Sequence, residues 1–312
     1  MSELQRNDGD LFGRVVTAMA TPFNENDEID YGSLEKLVNH LIENRTETIL
    51  VSGTTGESPT LTSQEKMELL KKTIEFAGGR AKVIFGSGSN NTRASVETSI
   101  AAEAAGAQGL LVVAPYYNKP SQAGIFAHVQ AVSNAVSVPI IVYNIPGRCG
   151  VNIEPETMIR LARECSQVKA IKDSAGNVDQ TAELAARLSA GGEAPDFRIY
   201  CGDDYLTLPM LSVGACGVVS VASHVVGSEI GAMVDAFFAG DFDKARTIHY
   251  KYLPVFKGLF AAPNPTCLKY FLSRMGLISS RLRLPLVPLD AKQKSQMDAL
   301  LESANLLTPS SI

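Results

Sequence analysis

A lysine ends a short apolar run, Val168–Lys172 (VKAIK). Lysine is rarely buried without a partner, and taking its ammonium out of water favours the neutral amine. A neutral amine at ordinary pH is the nucleophile that turns a ketone into an imine, or Schiff base. The competing reading is a strand-end lysine that reaches solvent or pairs with a carboxylate such as Asp173. Tyr143 lies near the end of the preceding apolar run, Pro139–Asn144 (PIIVYN). Its phenol could pass protons between a carbinolamine and solvent, or it is a core tyrosine with a satisfied hydroxyl. Thr54 and Tyr117 follow two other runs and extend the pair into a candidate proton relay. Thr54-Thr55, set between Gly53 and Gly56, offers hydroxyl and N–H donors suited to a carboxylate, or forms an ordinary glycine-bounded turn. Arg148 follows Pro146-Gly147 and could clamp a second carboxylate, or be a solvated surface arginine.

These residues need elements to position them. Short, β-branched runs bounded by Gly, Pro or Asn recur along the chain: Arg14–Ala20, Thr48–Gly53, Lys82–Gly86, Gly109–Pro115, Pro139–Asn144, Val168–Lys172, Phe197–Gly202 and Gly217–Val221. Each reads as a strand buried on both faces. Helical periodicity fills gaps between them, at Ser33–Leu41, Ser63–Ala77, Thr92–Ala105, Glu154–Ala162 and Asn177–Leu188. Ser63 has Lys66 where a capping box needs an acid, so Thr62 or Ser63 is read as a simple N-cap. Strand signals recur about every 30 residues, the length of a βαβ unit. The pattern predicts an α/β fold, a (β/α)8 TIM barrel over residues 1–240, followed by a small C-terminal helical domain over 241–312. A doubly wound open sheet is the rival, but no GxGxxG follows the first strand. In a barrel the C-terminal strand ends build the site. Those ends carry Gly53–Ser58, Pro115–Asn118, Tyr143–Arg148, Lys172–Ser174 and Gly202–Asp204.

Composition narrows the function. The 312 residues are 45% hydrophobic and 20% charged, with a formal net charge of -5. That balance attracts neither nucleic acid nor an anionic membrane. No apolar stretch is long enough to span a bilayer, and the polar N-terminus MSELQRNDGD has no targeting pattern, so a cytoplasmic location is expected. Cys149, Cys165, Cys201, Cys216 and Cys267 are scattered and form no CxxC pair, as reduced thiols would. His40, His128, His224 and His249 are dispersed and read as structural or surface residues. Asp203-Asp204 lacks partners at ligand spacing and reads as a turn or N-cap, so no metal is expected.

Four motifs occur in order: Gly53–Ser58 (GTTGES), Pro115–Pro120 (PYYNKP), Tyr143–Gly150 (YNIPGRCG) and Ile171–Gly176 (IKDSAG). Together they resemble the dihydrodipicolinate synthase/N-acetylneuraminate lyase family over nearly the whole chain, from Thr21-Pro22-Phe23 to the C-terminal helices. The resemblance implies a TIM barrel in which Lys172 forms an imine with pyruvate and Tyr143 donates and accepts the proton. It implies that Thr54 and Tyr117 complete the relay, with Tyr117 reaching across a tight dimer interface into the partner's site. Thr55 and the Val219 backbone would hold the pyruvate carboxylate and its surroundings, Arg148 the carboxylate of the aldehyde, and Gly202 would supply backbone contacts. The implied partners are pyruvate and L-aspartate 4-semialdehyde, with no cofactor, in a homotetramer built as a dimer of tight dimers.

Other branches of the family remain in competition. N-acetylneuraminate lyases usually carry Gly-Ser-Thr where this chain has Gly53-Thr54-Thr55, and lack an arginine matching Arg148. Keto-sugar-acid aldolases are the third branch. Outside these lie a catalytically silent keto-acid sensor and an unrelated phosphate-binding barrel using Gly202 and Ser223. The resemblance also implies an allosteric lysine site at Ser58, Pro59, Asn90 and Tyr116. However, Ser63, Lys66 and Ala94 stand where strongly inhibited bacterial members often carry two His and a Glu, so weak or absent lysine inhibition is expected.

Overall fold

The structure, a computed structural model, describes residues 11–191, 194 and 196–306. The polar N-terminal segment 1–10 and the last residues of the predicted helical domain lie outside the described residues. Among the described residues, eight strands close a barrel in the order β1 to β8, and every strand pairing with a described register is parallel. They are β1 (Val15–Ala18), β2 (Thr48–Val51), β3 (Lys82–Gly86), β4 (Leu110–Val113), β5 (Ile140–Asn144), β6 (Val168–Asp173), β7 (Arg198–Cys201) and β8 (Gly217–Ser220). All eight predicted strands are present; β3 keeps its predicted limits, β6 runs one residue further to Asp173, and the other six are trimmed by one to three residues. Helices lie between strands, and Phe242–Gly258, Thr266–Arg274 and Ala291–Ser303 form the C-terminal helical part. No helix among the described residues is long and apolar enough to cross a membrane.

Two compact units make up the chain: residues up to Lys82 together with those from Ser220 onward, and Val83–Val219. In the second unit one irregularity decides the site. Ile140 pairs with Val168, but Ile141 pairs with Ala170, so β6 carries one extra residue, Lys169, at a bulge. Beyond the bulge Tyr143 pairs with Lys172 and Asn144 with Asp173. Without the extra residue Tyr143 would face Ile171, and Lys172 would move to the opposite face relative to it.

In the first unit the predicted helix Ser63–Ala77 is present at those limits. Thr62, one of the two expected residues, is its N-cap, and it heads a capping box that was not expected. Thr62 and Glu65 form a complete capping box: Glu65 N–H donates to Thr62 Oγ1 at 3.2 Å, and Thr62 N–H donates to Glu65 Oε2 at 2.8 Å. The box lies one residue earlier than Ser63-Lys66, which satisfies two orphan N–H groups of the first turn. Helices Gln122–Ser133 and Ser223–Phe238 give no clear periodic signal in the sequence. Ser223–Phe238 is buried on most sides, and the outward face of Gln122–Ser133 carries alanines such as Ala123 and Ala127 rather than charges, so the polar face that makes a helix legible is missing.

Candidate active site

Lys172 and Tyr143 are 6% and 5% exposed, and the Lys172 Nζ lies 4.2 Å from the centroid of the Tyr143 ring. Register explains the approach: partners in adjacent strands point to the same side of the sheet. On the other flank Lys172 pairs with the fully buried Tyr200 of β7. Gly202 closes the same corner. Its N–H donates to Asp173 O at 2.8 Å, and a Cβ there would lie 1.9 Å from Ser174 Oγ and 3.1 Å from Lys172 Cε. Only a residue without a side chain lets the backbone pass this close to the lysine. Ser174 Oγ is buried at this corner with no protein partner.

Asp203 precedes a short 3-10 turn, Asp204–Leu206, as the sequence suggests, but its side chain caps nothing. Burial pushes its carboxyl up to about 6, while the positive charges of Lys172 and Arg148 pull it down. Of the charges acting on it Asp204 is its chain neighbour, but Lys172, Asp173 and Arg148 are remote in sequence, so the local segment reads only as a turn.

Arg148 is exposed on a four-residue helix, Pro146–Cys149, that starts on a proline and ends at Gly150 with φ 71°. The glycine takes the left-handed conformation that ends such a turn at little cost. Tyr117 is 88% exposed at φ 72°, a conformation that non-glycine residues seldom adopt, and Tyr116 beside it is 40% exposed. Asn118 Nδ2 donates to Asn90 O at 2.8 Å beneath this loop. Val219 is fully buried in β8.

The first unit contributes the loop after β2. Gly56, Glu57 and Ser58 N–H groups donate back to Gly53 O, Thr54 O and Gly53 O at 3.1, 3.1 and 3.4 Å. Thr55 is buried, and its Oγ1 accepts from Asn264 Nδ2 at 2.9 Å. Thr21 Oγ1 donates to Gly56 O at 2.7 Å. Glu57, at φ 54°, is buried and forms an ion pair with the equally buried Lys269 at 2.5 Å. Lys269 Nζ also donates to Arg281 O at 2.8 Å, and Arg283 N–H donates to Glu57 Oε2 at 3.0 Å. The GTTGES loop is thus anchored on the C-terminal segment by Asn264, Lys269 and Arg283. None of the three is legible as a partner, since more than 200 residues separate each from the loop and no local pattern spans that distance. Ser58 Oγ accepts from Ser52 Oγ at 3.0 Å, and Pro59 lies in the 3-10 turn Ser58–Thr60. Among the described residues no group of three or more His, Cys, Asp or Glu is placed to hold a metal ion, and the five cysteines are free.

A parallel (β/α)8 barrel that sets a buried tyrosine against a buried lysine on adjacent strands has the machinery of a class I aldolase. The family model described as the dihydrodipicolinate synthetase family matches residues 11–304. This chain belongs to that family. It is 52% identical over 286 residues to 4-hydroxy-tetrahydrodipicolinate synthase 1 of Halalkalibacterium halodurans, covering 92% of this chain and 95% of the relative. Among solved structures, dihydrodipicolinate synthase of Bacillus anthracis matches with a TM-score of 0.90 at 45% identity, covering 94% of this chain and 98% of the other. DHDPS from Cyanidioschyzon merolae with lysine bound matches with a TM-score of 0.91 at 44% identity, covering 95% and 99%.

Proposed function

We propose that the chain is a Schiff-base lyase, a 4-hydroxy-tetrahydrodipicolinate synthase, condensing pyruvate with L-aspartate 4-semialdehyde. This is the first committed step of lysine and diaminopimelate biosynthesis. The observation that carries the reading is the buried Lys172–Tyr143 register pair in a chain of this family. The Lys172 amine adds to the ketone carbon of pyruvate, and the carbinolamine loses water to give the imine. Removal of a methyl proton gives the enamine, whose carbon attacks the aldehyde. The substrate's own amine then displaces Lys172 as the ring closes, freeing the enzyme.

Tyr143 donates and accepts the protons, relayed through Thr54 and through Tyr117 of a neighbouring copy. Thr55 and the Val219 backbone hold the pyruvate carboxylate, Gly202 offers backbone contacts, and Arg148 holds the carboxylate of the aldehyde. The exposure of Tyr117 in the single chain supports its use by a second copy, in a tetramer of two tight dimers. The catalytic barrel spans residues 1–240 and the helical domain 241–312. The enzyme works in the cytoplasm on small molecules alone.

The test is borohydride reduction in the presence of pyruvate, read by mass spectrometry, with a coupled assay across several aldehydes. An adduct at Lys172 and turnover with aspartate semialdehyde are expected. An adduct elsewhere, or turnover with N-acetylmannosamine instead, overturns the assignment.

A further inference from the structure

Asn144 follows Tyr143 on β5 and is fully buried. Its Oδ1 accepts from Ile153 N–H at 3.0 Å, and its Nδ2 donates to Asn152 Oδ1 at 2.9 Å. These two bonds close the segment 145–152, which carries Arg148, with a single side chain holding its far end. The second Nδ2 hydrogen makes a longer bond, 3.4 Å, to Asp173 Oδ1, beside Lys172. One amide therefore touches both the arm of Arg148 and the strand of the nucleophile.

The far end of the arm is held from two more sides. Asn152 and Gln180 pair their amides, with Asn152 Nδ2 donating at 2.8 Å and Gln180 Nε2 returning at 3.4 Å. Gln122 Nε2 donates to Asn152 O at 2.8 Å, and Gln122 Oε1 accepts from Glu154 N–H at 3.2 Å and Thr157 Oγ1 at 2.7 Å. Asp173 is fixed in turn by Thr181 Oγ1 at 2.8 Å and Ala175 N–H at 3.0 Å. The network is buried at Asn144 and Asp173 and half-buried at Asn152, Gln122 and Gln180; at its buried end a displacement orphans a polar group, which favours one arrangement.

We propose that Asn144 and Asn152 are positioning residues that set the placement of the Arg148 guanidinium relative to Lys172, and thereby selectivity for an aldehyde bearing a carboxylate. The inference rests on the reading of Arg148 given above. Packing alone would leave a four-residue helix free to pivot; the amide network removes that freedom.

The experiment is steady-state kinetics of Asn152→Ala and Gln122→Ala, with Arg148→Ala and the double variant Asn152→Ala/Arg148→Ala. Asn152 is half-buried and Gln122 is bonded only at the rim of the network, so the pair tests the arm without emptying the core. Asn152→Ala is expected to raise the KM for aspartate semialdehyde by about 10- to 100-fold, the scale of a misplaced binding group. The KM for pyruvate and the rate of borohydride trapping at Lys172 stay within about twofold, and in the Arg148→Ala background Asn152→Ala adds little. If Arg148→Ala raises the aldehyde KM but Asn152→Ala and Gln122→Ala do not, the positioning role fails alone. If Arg148→Ala leaves that KM unchanged, the reading of Arg148 fails and takes the inference with it.

Discussion

Lys172 Nζ stands over the face of the Tyr143 ring, 4.2 Å from its centroid, with both residues nearly inaccessible to water. The ring, rather than the hydroxyl, is what the amine rests on. Tyr143→Phe therefore keeps the packing surface and removes only the hydroxyl proposed to carry the proton. Turnover is expected to fall by about 10²–10⁴-fold, as for a general acid–base group. The adduct with pyruvate at Lys172 still forms on prolonged borohydride treatment. Loss of the adduct together with turnover in a folded Tyr143→Phe protein contradicts this division of labour.

Gly202→Ala places a methyl group against Ser174 Oγ, Lys172 Cε and Asp173 O. The serine hydroxyl can rotate away, but the lysine stem at 3.1 Å and the Asp173 carbonyl at 3.2 Å must yield. Overpacking of this kind costs about 1–3 kcal/mol. Imine formation, followed by stopped-flow trapping with pyruvate, is expected to slow more than stability falls. A variant with unchanged trapping kinetics shows that the corner is looser than its geometry.

Lys269→Met leaves the Glu57 carboxylate buried without its counter-charge. Removing one partner of a buried pair costs about 3–5 kcal/mol. Denaturant unfolding is expected to show that loss, and Lys269→Met/Glu57→Gln to recover part of it. Equal stability of the single and double variants would mean the charge on Glu57 is not the source of the cost.

Glu65 links the capping box at Thr62 to Arg283, which binds both carboxylate oxygens, at 2.5 and 3.1 Å. The Arg283 hydrogen bonds hold the Glu65 carboxyl at about 2, against an ordinary 4.5. A depressed carboxyl stabilises the fold fully above pH 4.5 and loses that contribution as pH falls through about 2. Arg283→Met should thus lower stability at neutral pH by about 1.5–3 kcal/mol, the worth of hydrogen bonds to a charged group. The difference from the unsubstituted protein should shrink in acid. A difference independent of pH assigns the effect to packing on Phe23, whose ring centroid lies 4.4 Å from the Arg283 guanidinium carbon, instead.

Lysine inhibition is expected to be weak or absent. Ala94 offers no carboxylate for an ammonium, and Lys66, whose amine burial pushes down, stands at another position that departs from the inhibited pattern. Strong inhibition at sub-millimolar lysine in the coupled assay contradicts this.

Lys172, Tyr143, Thr54, Thr55 and Arg148 are legible in the sequence as candidates, because each stands at or just past the end of a run whose β-branched residues and Gly or Pro boundaries mark a strand. The eight strands were legible for the same reason: a strand buried on both faces is apolar over its whole length. Helices Gln122–Ser133 and Ser223–Phe238 were not, since an alanine-bearing outer face in the first and burial on most sides in the second erase the periodic contrast that reveals a helix.

What tertiary structure alone decided is the phase and the bracing. Lys169 carries no mark of a bulge, yet its extra residue brings Lys172 opposite Tyr143. Asn264, Lys269 and Arg283 reach the GTTGES loop from the far end of the chain, and Asn144 ties the Arg148 arm to Asp173. Local sequence specifies which side chains are present and which segments extend, because propensity and burial pattern act over a few neighbours. Register and long-range hydrogen bonds are settled only when distant segments are packed together and each buried polar group must find a partner.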